Sequence, residues 1–318
     1  MAENRCLYCY RISQSGDFHT ACSRKFFGRS QPPEFPYRLD EMHELANQVV
    51  RSSVSVTGVQ AKLSVDFETI REKRRTDRLT IVGMWGRYVL KPPTERYPSL
   101  PELEDMTMHL AGLLKIRTVP HSLLRIKSGE LAYITRRVDR VDGEKLHMED
   151  MCQLAERLTE DKYKGSMEQI GKILDRSSDN SGFDLVELFR LAVVSFLTGN
   201  ADMHLKNFSL LHGADALIGF SPAYDLVATT LALPEDTEEM ALTLNGKKRN
   251  LGQKDFQALA RSLRISEIVY ANIMREFAGL LPQAMAFLQL GFLDRSMQDR
   301  YRSLLEERSA RLGLRMAA

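Results

Sequence analysis

GNADMHLKNFSLL, Gly199 to Leu211, comes directly after one of the most apolar segments of the chain, Phe183 to Leu197. That segment is apolar nearly all round and too short to cross a bilayer, which predicts the central helix of a packed domain, ended by Gly199-Asn200. The stretch behind it crowds Asp202, His204, Lys206 and Asn207 at the mouth of the buried helix, where polar groups usually do chemistry. Asp202 and Asn207 stand as D-x-x-x-x-N, a carboxylate and an amide on one short loop.

Downstream, FSLL, the turn His212 to Asp215 and ALIGFS read as a short hairpin, after which SPAYDLV presents Asp225. A hairpin returns the chain to where it left the loop, so Asp225 can sit beside Asn207. Leu251 to Ala318 reads as several amphipathic helices without recognisable chemistry. Asp236, Glu238 and Glu239 read as a solvated acidic loop, and Asn245-Gly246-Lys247-Lys248 as a hairpin turn.

Upstream the period changes. SVSVTGVQAKLSVDF, with Gly58 at a turn, has a strand, turn, strand pattern after a short helix over Tyr37 to Val50. RLTIVGMWGRYVLKPP adds two strands around Gly83 to Gly86, and HSLLRIKSGELAYITRRVDR a hairpin with Ser128-Gly129 as its turn. The basic run Arg71 to Arg78 reads as the solvated tip of a long hairpin, with phosphate contact the minority alternative. Lys91 closes a strand just before Pro92, and LPELEDMTMHLAGLL then reads as an amphipathic helix with Glu104 in its first turns. A strand lysine succeeded by a helix glutamate is a layout that positions nucleotide phosphates, although Glu104 could equally complement the helix dipole. Glu149 to Leu158 reads as helical, and most of the chain beyond it is helical too. A β-rich first half feeding an α-rich second half predicts an α+β chain of two lobes that cross near Thr135 to Arg140, with a small-molecule site in the cleft.

The N-terminus carries three of the four cysteines, as Cys6-x2-Cys9 and His19-x2-Cys22. Two close pairs of soft ligands joined by a short loop can close a tetrahedral Cys3His zinc site, structural because no position is left open for water. Ordinary thiols beside a chance histidine are the alternative, and Cys152 reads as a buried spectator. The prolines of QPPEF, Gln31 to Phe35, end the module.

At 318 residues and 43% hydrophobic the chain can bury a substantial core. Its 44 Lys and Arg against 42 Asp and Glu leave a formal charge of +2, so no bulk field points to nucleic acid. That balance, with no basic and aromatic interleaving beyond Lys25-Phe26-Phe27, also argues against a nucleic-acid-binding zinc finger. No apolar run approaches the roughly 20 residues of a membrane span and MAENRC lacks a signal-peptide core, so a cytoplasmic location is expected.

The parts of a phosphotransfer site thus stand in kinase order: a loop at Ser55 to Gly58, Lys91 with Glu104, Asp202 as base, and Asn207 with Asp225 for Mg2+. SVTGVQAKL (Ser55 to Leu63), YVLKPP (Tyr88 to Pro93), ITRRVDR (Ile134 to Arg140), MEDMCQ (Met148 to Gln153), GNADMHLKNFSL (Gly199 to Leu210) and SPAYDLV (Ser221 to Val227) together resemble the HipA-like serine/threonine kinases, toxins of bacterial toxin–antitoxin modules. The resemblance implies an ATP- and Mg2+-dependent protein kinase with a divergent kinase fold. Asp202 looks like the catalytic base, with His204 and Lys206 shaping the loop and meeting phosphate. Asn207 and Asp225 look like Mg2+ ligands and Lys91, paired with Glu104, like the ATP lysine. Ser55, Val56, Thr57 and Gly58 in the loop, with Arg136 and Arg137 in the hinge, complete the nucleotide-binding set. Such kinases can phosphorylate a serine of their own loop, which points to Ser55, with Thr57 second, and to self-inactivation.

The expected domains are a zinc-binding module over 1–30, an N lobe over 31–137 and a helical C lobe over 138–318. Full-length members carry an extra N-terminal subdomain where this chain has its Cys/His segment, so it is similar to the split HipT kinases, whose missing subdomain is a separate small protein. The expected partners are that subunit, a DNA-binding antitoxin through which alone nucleic acid is met, and a substrate such as an aminoacyl-tRNA synthetase. Two other readings stay open: a small-molecule kinase, which shares D-x-x-x-x-N and the later Asp, and an inactive kinase-like scaffold.

Overall fold

A computed structural model describes residues 4–14, 16–42, 44, 62–70, 76–82, 85–97, 99–141, 143–213 and 215–314. The glycine-containing loop, Ser55 to Gly58, half of the helix expected over Tyr37 to Val50 (residues 43 and 45–50), and residues 71–75 of the basic run lie outside them. The chain divides into two compact units, one of Met1–Asp105, Val119–Arg137 and Leu290–Phe292, the other of Met106–Thr118, Val138–Gln289 and Leu293–Ala318.

The first unit is built on a five-stranded antiparallel sheet. Its strands are β1 (Leu63–Ile70), β2 (Thr76–Ile81), β3 (Tyr88–Lys91), β4 (His121–Arg125) and β5 (Leu131–Arg136), in the order β2-β1-β3-β5-β4. Arg78 lies within β2 opposite Glu68, so the basic run does not reach it as a solvated tip. Gly129, at φ +108°, makes the β4–β5 turn, a conformation that costs any residue with a Cβ. Helix α1 (Thr20–Phe27) ends on Gly28 in the left-handed region and packs Phe26 and Phe27 beside Tyr88 of β3. Helix α2 (Leu100–Leu113) comes after β3.

In the second unit α5 (Ser181–Leu197) is the centre, with Leu188, Phe189, Val193, Phe196 and Leu197 all buried. Around it stand α4 (Met167–Ser177), α7 (Gln253–Ser262), α8 (Glu267–Leu288) and α9 (Arg295–Arg311). A three-stranded sheet joins β8 (Met148–Asp150), β9 (Ser209–His212) and β10 (Ile218–Phe220), with β9 central. The two-residue strands β6 (Arg140–Val141) and β7 (Glu144–Lys145) pair beside it in sequence, and α6 (Thr229–Ala232) is a single turn.

Two local expectations are corrected. Glu149 to Leu158 is not one helix: Met148–Asp150 pairs with β9, and α3 spans only Met151–Leu154. The ladder to Ser209 and Leu211 takes the first residues, and Asp150 and Gln153 close a capping box at the start of a helix that stops before Glu156, at φ +54°. Glu239 is not solvated. It is buried, takes Arg311 in two contacts at 2.6 and 2.9 Å, and accepts Leu251 N–H at 2.9 Å. An arginine fork from α9 supplied the partner that no local pattern announces.

Burial pushes the Glu239 carboxyl up, but the Arg311 and Leu251 hydrogen bonds and the charges of Arg308 and Arg311 outweigh it and hold it below its ordinary 4.5. A carboxyl depressed by folding stabilises the native state above its unfolded pKa and loses that contribution as pH falls through the folded one. Melting temperature tracked from pH 7 downward should therefore drop below about pH 4.5, and Glu239→Gln should start lower at pH 7 and show a shallower acid limb. An unchanged acid limb in that variant would show that Glu239 does not contribute to it.

Candidate active site

The loop after α5 is shaped by Gly199. Its φ is +68°, and a Cβ there would meet Leu304 Cδ2 at 2.6 Å and Thr230 at 3.2 Å. The turn is then pinned from α6: Thr230 Oγ1 donates to Gly199 O at 2.9 Å and Ala201 N to Thr229 Oγ1 at 2.9 Å. A loop fixed at both backbone faces can hold side chains at chemical tolerance.

Within it, Asn207 Nδ2 donates to the Asp202 carbonyl at 3.0 Å. Because a carbonyl only accepts, the amide nitrogen faces the loop and Oδ1 is the atom Asn207 offers outward. Tyr163 Oη donates to Asp202 Oδ1 at 2.8 Å and packs its ring edge-on to His204, centroids 5.2 Å apart. Burial lowers the His204 pKa from its ordinary 6.5, against the raising effect of Asp202 and Asp225, so the ring is neutral at pH 7. Both carboxylates thus lie within electrostatic reach of that ring. Its Nδ1 is buried and without a hydrogen-bond partner among the described residues. Asp225 stands at φ +61°, a left-handed backbone uncommon for a residue with a Cβ and frequent at functional sites. Its neighbour Tyr224 donates to Lys206 O at 3.0 Å and shares a 2.6 Å contact with Ser209 Oγ, tying the two stretches together.

Lys206, expected to shape the loop and meet phosphate, donates to Asp150 Oδ2 at 2.6 Å. The same carboxylate caps α3 through Gln153 N at 2.9 Å. Asp150, Tyr163 and Tyr224 are residues that sequence reasoning does not single out. Asp150 carried a signal in its D-x-x-Q cap pattern, whereas Tyr163 sits in a polar stretch with none.

In the first unit Lys91 Nζ and Glu104 Oε1 are 2.5 Å apart, with side chains 5% and 0% exposed. Of the two roles open to Glu104, the pairing with lysine is the one formed. The ammonium also lies 5.3 Å from the Tyr133 ring centroid, across the β3–β5 register. Arg136 is exposed at the end of β5 and Arg137 is half-buried just after it, its N–H bonded to Arg87 O at 2.8 Å. In the same unit one ligand atom from each of Cys6, Cys9, His19 and Cys22 lies within 4.8 Å of the others.

A family model described as the HipA-like C-terminal domain matches residues 54–285. The chain belongs to this family. It is 31% identical over 237 residues to "Putative kinase Y4dM" of Sinorhizobium fredii, covering 70% of this chain and 56% of that relative. The chain thus spans little more than half the length of that relative. Among solved structures it resembles HipA of Shewanella oneidensis, seen with HipB and operator DNA, at TM-score 0.66 and 22% identity over 81% of this chain and 65% of that one. It also resembles the Helicobacter pylori proinflammatory kinase CtkA, at TM-score 0.52 and 13% identity over 79% and 93%. At these identities the likeness establishes the α+β, kinase-like fold. Among the described residues no helix is long and apolar enough to cross a membrane.

Proposed function

We propose that this HipA-like protein is an ATP- and Mg2+-dependent serine/threonine protein kinase, the toxin of a toxin–antitoxin module. The observation that carries the reading is the Lys91–Glu104 pair. Desolvating two charges this fully brings little net stability, so such a pair is better explained by what its ammonium must do. In kinases that task is holding nucleotide phosphates.

The donor set fits the metal. Asn207 and Asp225 offer an amide and a carboxylate oxygen, the hard ligands Mg2+ takes, and two protein ligands leave coordination positions for phosphate and water. Bound there, Mg2+ supplies charge neutralisation for the transferred phosphoryl group. Asp202 takes the proton of the attacking serine or threonine hydroxyl on its carboxylate, held by Tyr163. Neutral His204, packed edge-on to Tyr163, and Lys206, bonded to Asp150, shape the loop. The nucleotide-binding set further includes Ser55, Val56, Thr57 and Gly58 with Arg136 and Arg137, and Ser55 or Thr57 is the site of autophosphorylation. HipA of Shewanella, bound to HipB and operator DNA, supports a DNA-binding antitoxin as partner. A translation component in the cytoplasm, such as an aminoacyl-tRNA synthetase, is the best candidate substrate.

Incubating the purified chain with γ-labelled ATP and Mg2+, alone, with cell extract and with pooled free metabolites, tests the reading. Label on protein serine or threonine is expected. Label confined to metabolites would make it a small-molecule kinase, and no transfer in any arm would defeat the phosphotransfer reading.

Tyr163→Phe offers a finer test. A hydrogen bond to a charged group contributes about 1.5 kcal/mol, so its loss should cost roughly tenfold in kcat. KM for ATP should stay where it was. An unchanged kcat would show that Asp202 does not depend on that donor.

A further inference from the structure

The segment ahead of the sheet bears chemistry that phosphotransfer does not use. Cys6 Sγ, Cys9 Sγ, Cys22 Sγ and a ring nitrogen of His19 are gathered within 4.8 Å. Cys9 Sγ lies 3.4 Å and Cys22 Sγ 3.7 Å from His19 Nδ1. A tetrahedral ion with metal–sulfur and metal–nitrogen bonds of about 2.3 and 2.05 Å separates such ligand atoms by about 3.5 Å. The observed spacing therefore brackets the value such a site requires.

The histidine is already set for the task. His19 Nε2 lies 2.9 Å from Ile12 O, and since a carbonyl only accepts, Nε2 carries the proton. In the neutral ring this leaves the lone pair on Nδ1, the atom facing the two sulfurs. A ligand histidine oriented by a backbone carbonyl is the usual outer-sphere arrangement of zinc sites. The backbone is pre-shaped as well. Tyr10 N donates to Cys6 O at 2.9 Å across Cys6-x2-Cys9, and Tyr10 is held at φ +62°, which a tyrosine adopts only under constraint. All three cysteines are free thiols.

We propose that Cys6, Cys9, His19 and Cys22 bind one structural Zn2+ that staples residues 4–28 onto the sheet of the first unit. Docking is by the backbone and by buried polar contacts. Leu123 N of edge strand β4 donates to Leu7 O at 3.2 Å, covering an edge that would otherwise be open to strand addition. Tyr10 Oη donates to buried Asp105 at 2.6 Å, and Asp17 takes Arg125 of β4 at 3.0 and 3.2 Å. Phe26 and Phe27 of α1, which begins directly after His19, close over Tyr88 of β3, three residues before Lys91. A segment this short has too little core to hold such a shape unaided, and a metal supplies the missing folding energy.

The test uses the full chain and does not depend on kinase activity. Purified protein should carry about one zinc per chain by elemental analysis, and Cys6→Ser and Cys22→Ser should lose it while Cys152→Ser keeps it. Should the cysteine variants not fold, wild-type protein loaded with Co2+ should show the thiolate charge-transfer band and strong d–d absorption of a tetrahedral sulfur-rich site. Chelation should lower the melting temperature by about 10 °C or more, and added Zn2+ should restore it. Metal-free protein with an unshifted melt in chelator, or no charge-transfer band with cobalt, would overturn the proposal. So would zinc that survives Cys6→Ser but leaves with His147→Ala or His212→Ala, since those residues and Glu149 form another cluster with ligand atoms within 4.8 Å.

Discussion

Asp202→Asn is expected to lower phosphotransfer to protein by about a hundredfold to ten-thousandfold, the contribution of a positioned general base. The fold should survive. Asparagine keeps an oxygen that can accept from Tyr163 Oη, and the Asn207 bond goes to the backbone carbonyl of residue 202 rather than to its side chain. ATP affinity should also change little, because the groups assigned to phosphate and metal are Lys91, Asn207 and Asp225. Initial rates with γ-labelled ATP, a nucleotide-binding isotherm and a thermal melt separate these effects. Retention of labelling within a few-fold of wild type would remove Asp202 from the chemistry, whatever became of the rest of the assignment. Asp225→Asn provides the contrast, since a lost metal-binding carboxylate should weaken Mg2+–nucleotide binding as well as rate.

The second large effect is expected at Lys91→Met. Removing the ammonium leaves the Glu104 carboxylate buried without its 2.5 Å partner, and breaking a buried pair from one side costs about 3–5 kcal/mol. The variant should therefore lose ATP affinity and thermal stability together, which alone would not separate positioning from folding. Lys91→Met combined with Glu104→Leu does. Replacing both charges with apolar groups of similar volume is often neutral for stability, so the double variant should melt close to wild type and remain unable to transfer phosphate. Recovery of both stability and activity in the double variant would show that the pair is only structural and would take away the observation on which the kinase reading rests.

Much of this protein is legible from local pattern. The apolar run Phe183 to Leu197 is the helix its composition requires, because a segment without a polar face has no alternative to burial. The strand ending at Lys91 and the hairpin turning at Ser128-Gly129 are announced by β-branched runs and by a glycine whose φ no other residue adopts freely. The spacing of Cys6, Cys9, His19 and Cys22 already carried the possibility of a metal. Where local pattern misleads, partners far away in sequence decide. Met148–Asp150 became a strand because β9, some sixty residues later, offered a ladder. Glu239 was buried because Arg311, 72 residues on, reached it with a fork of charge-assisted bonds.

The loop from Gly199 to Leu211 shows the same division at finer scale. Sequence determined the residue types, Asp202, Asn207 and Asp225, and their order, because chemistry restricts which atoms can take a proton or meet a hard cation. Only the tertiary structure decided that Tyr163 holds Asp202, that Lys206 turns to Asp150 rather than standing open, and that Glu104 serves Lys91 instead of its own helix dipole. Such choices depend on which donor and acceptor the packed chain brings within about 3 Å, a property of the assembled fold that no spacing along the chain encodes.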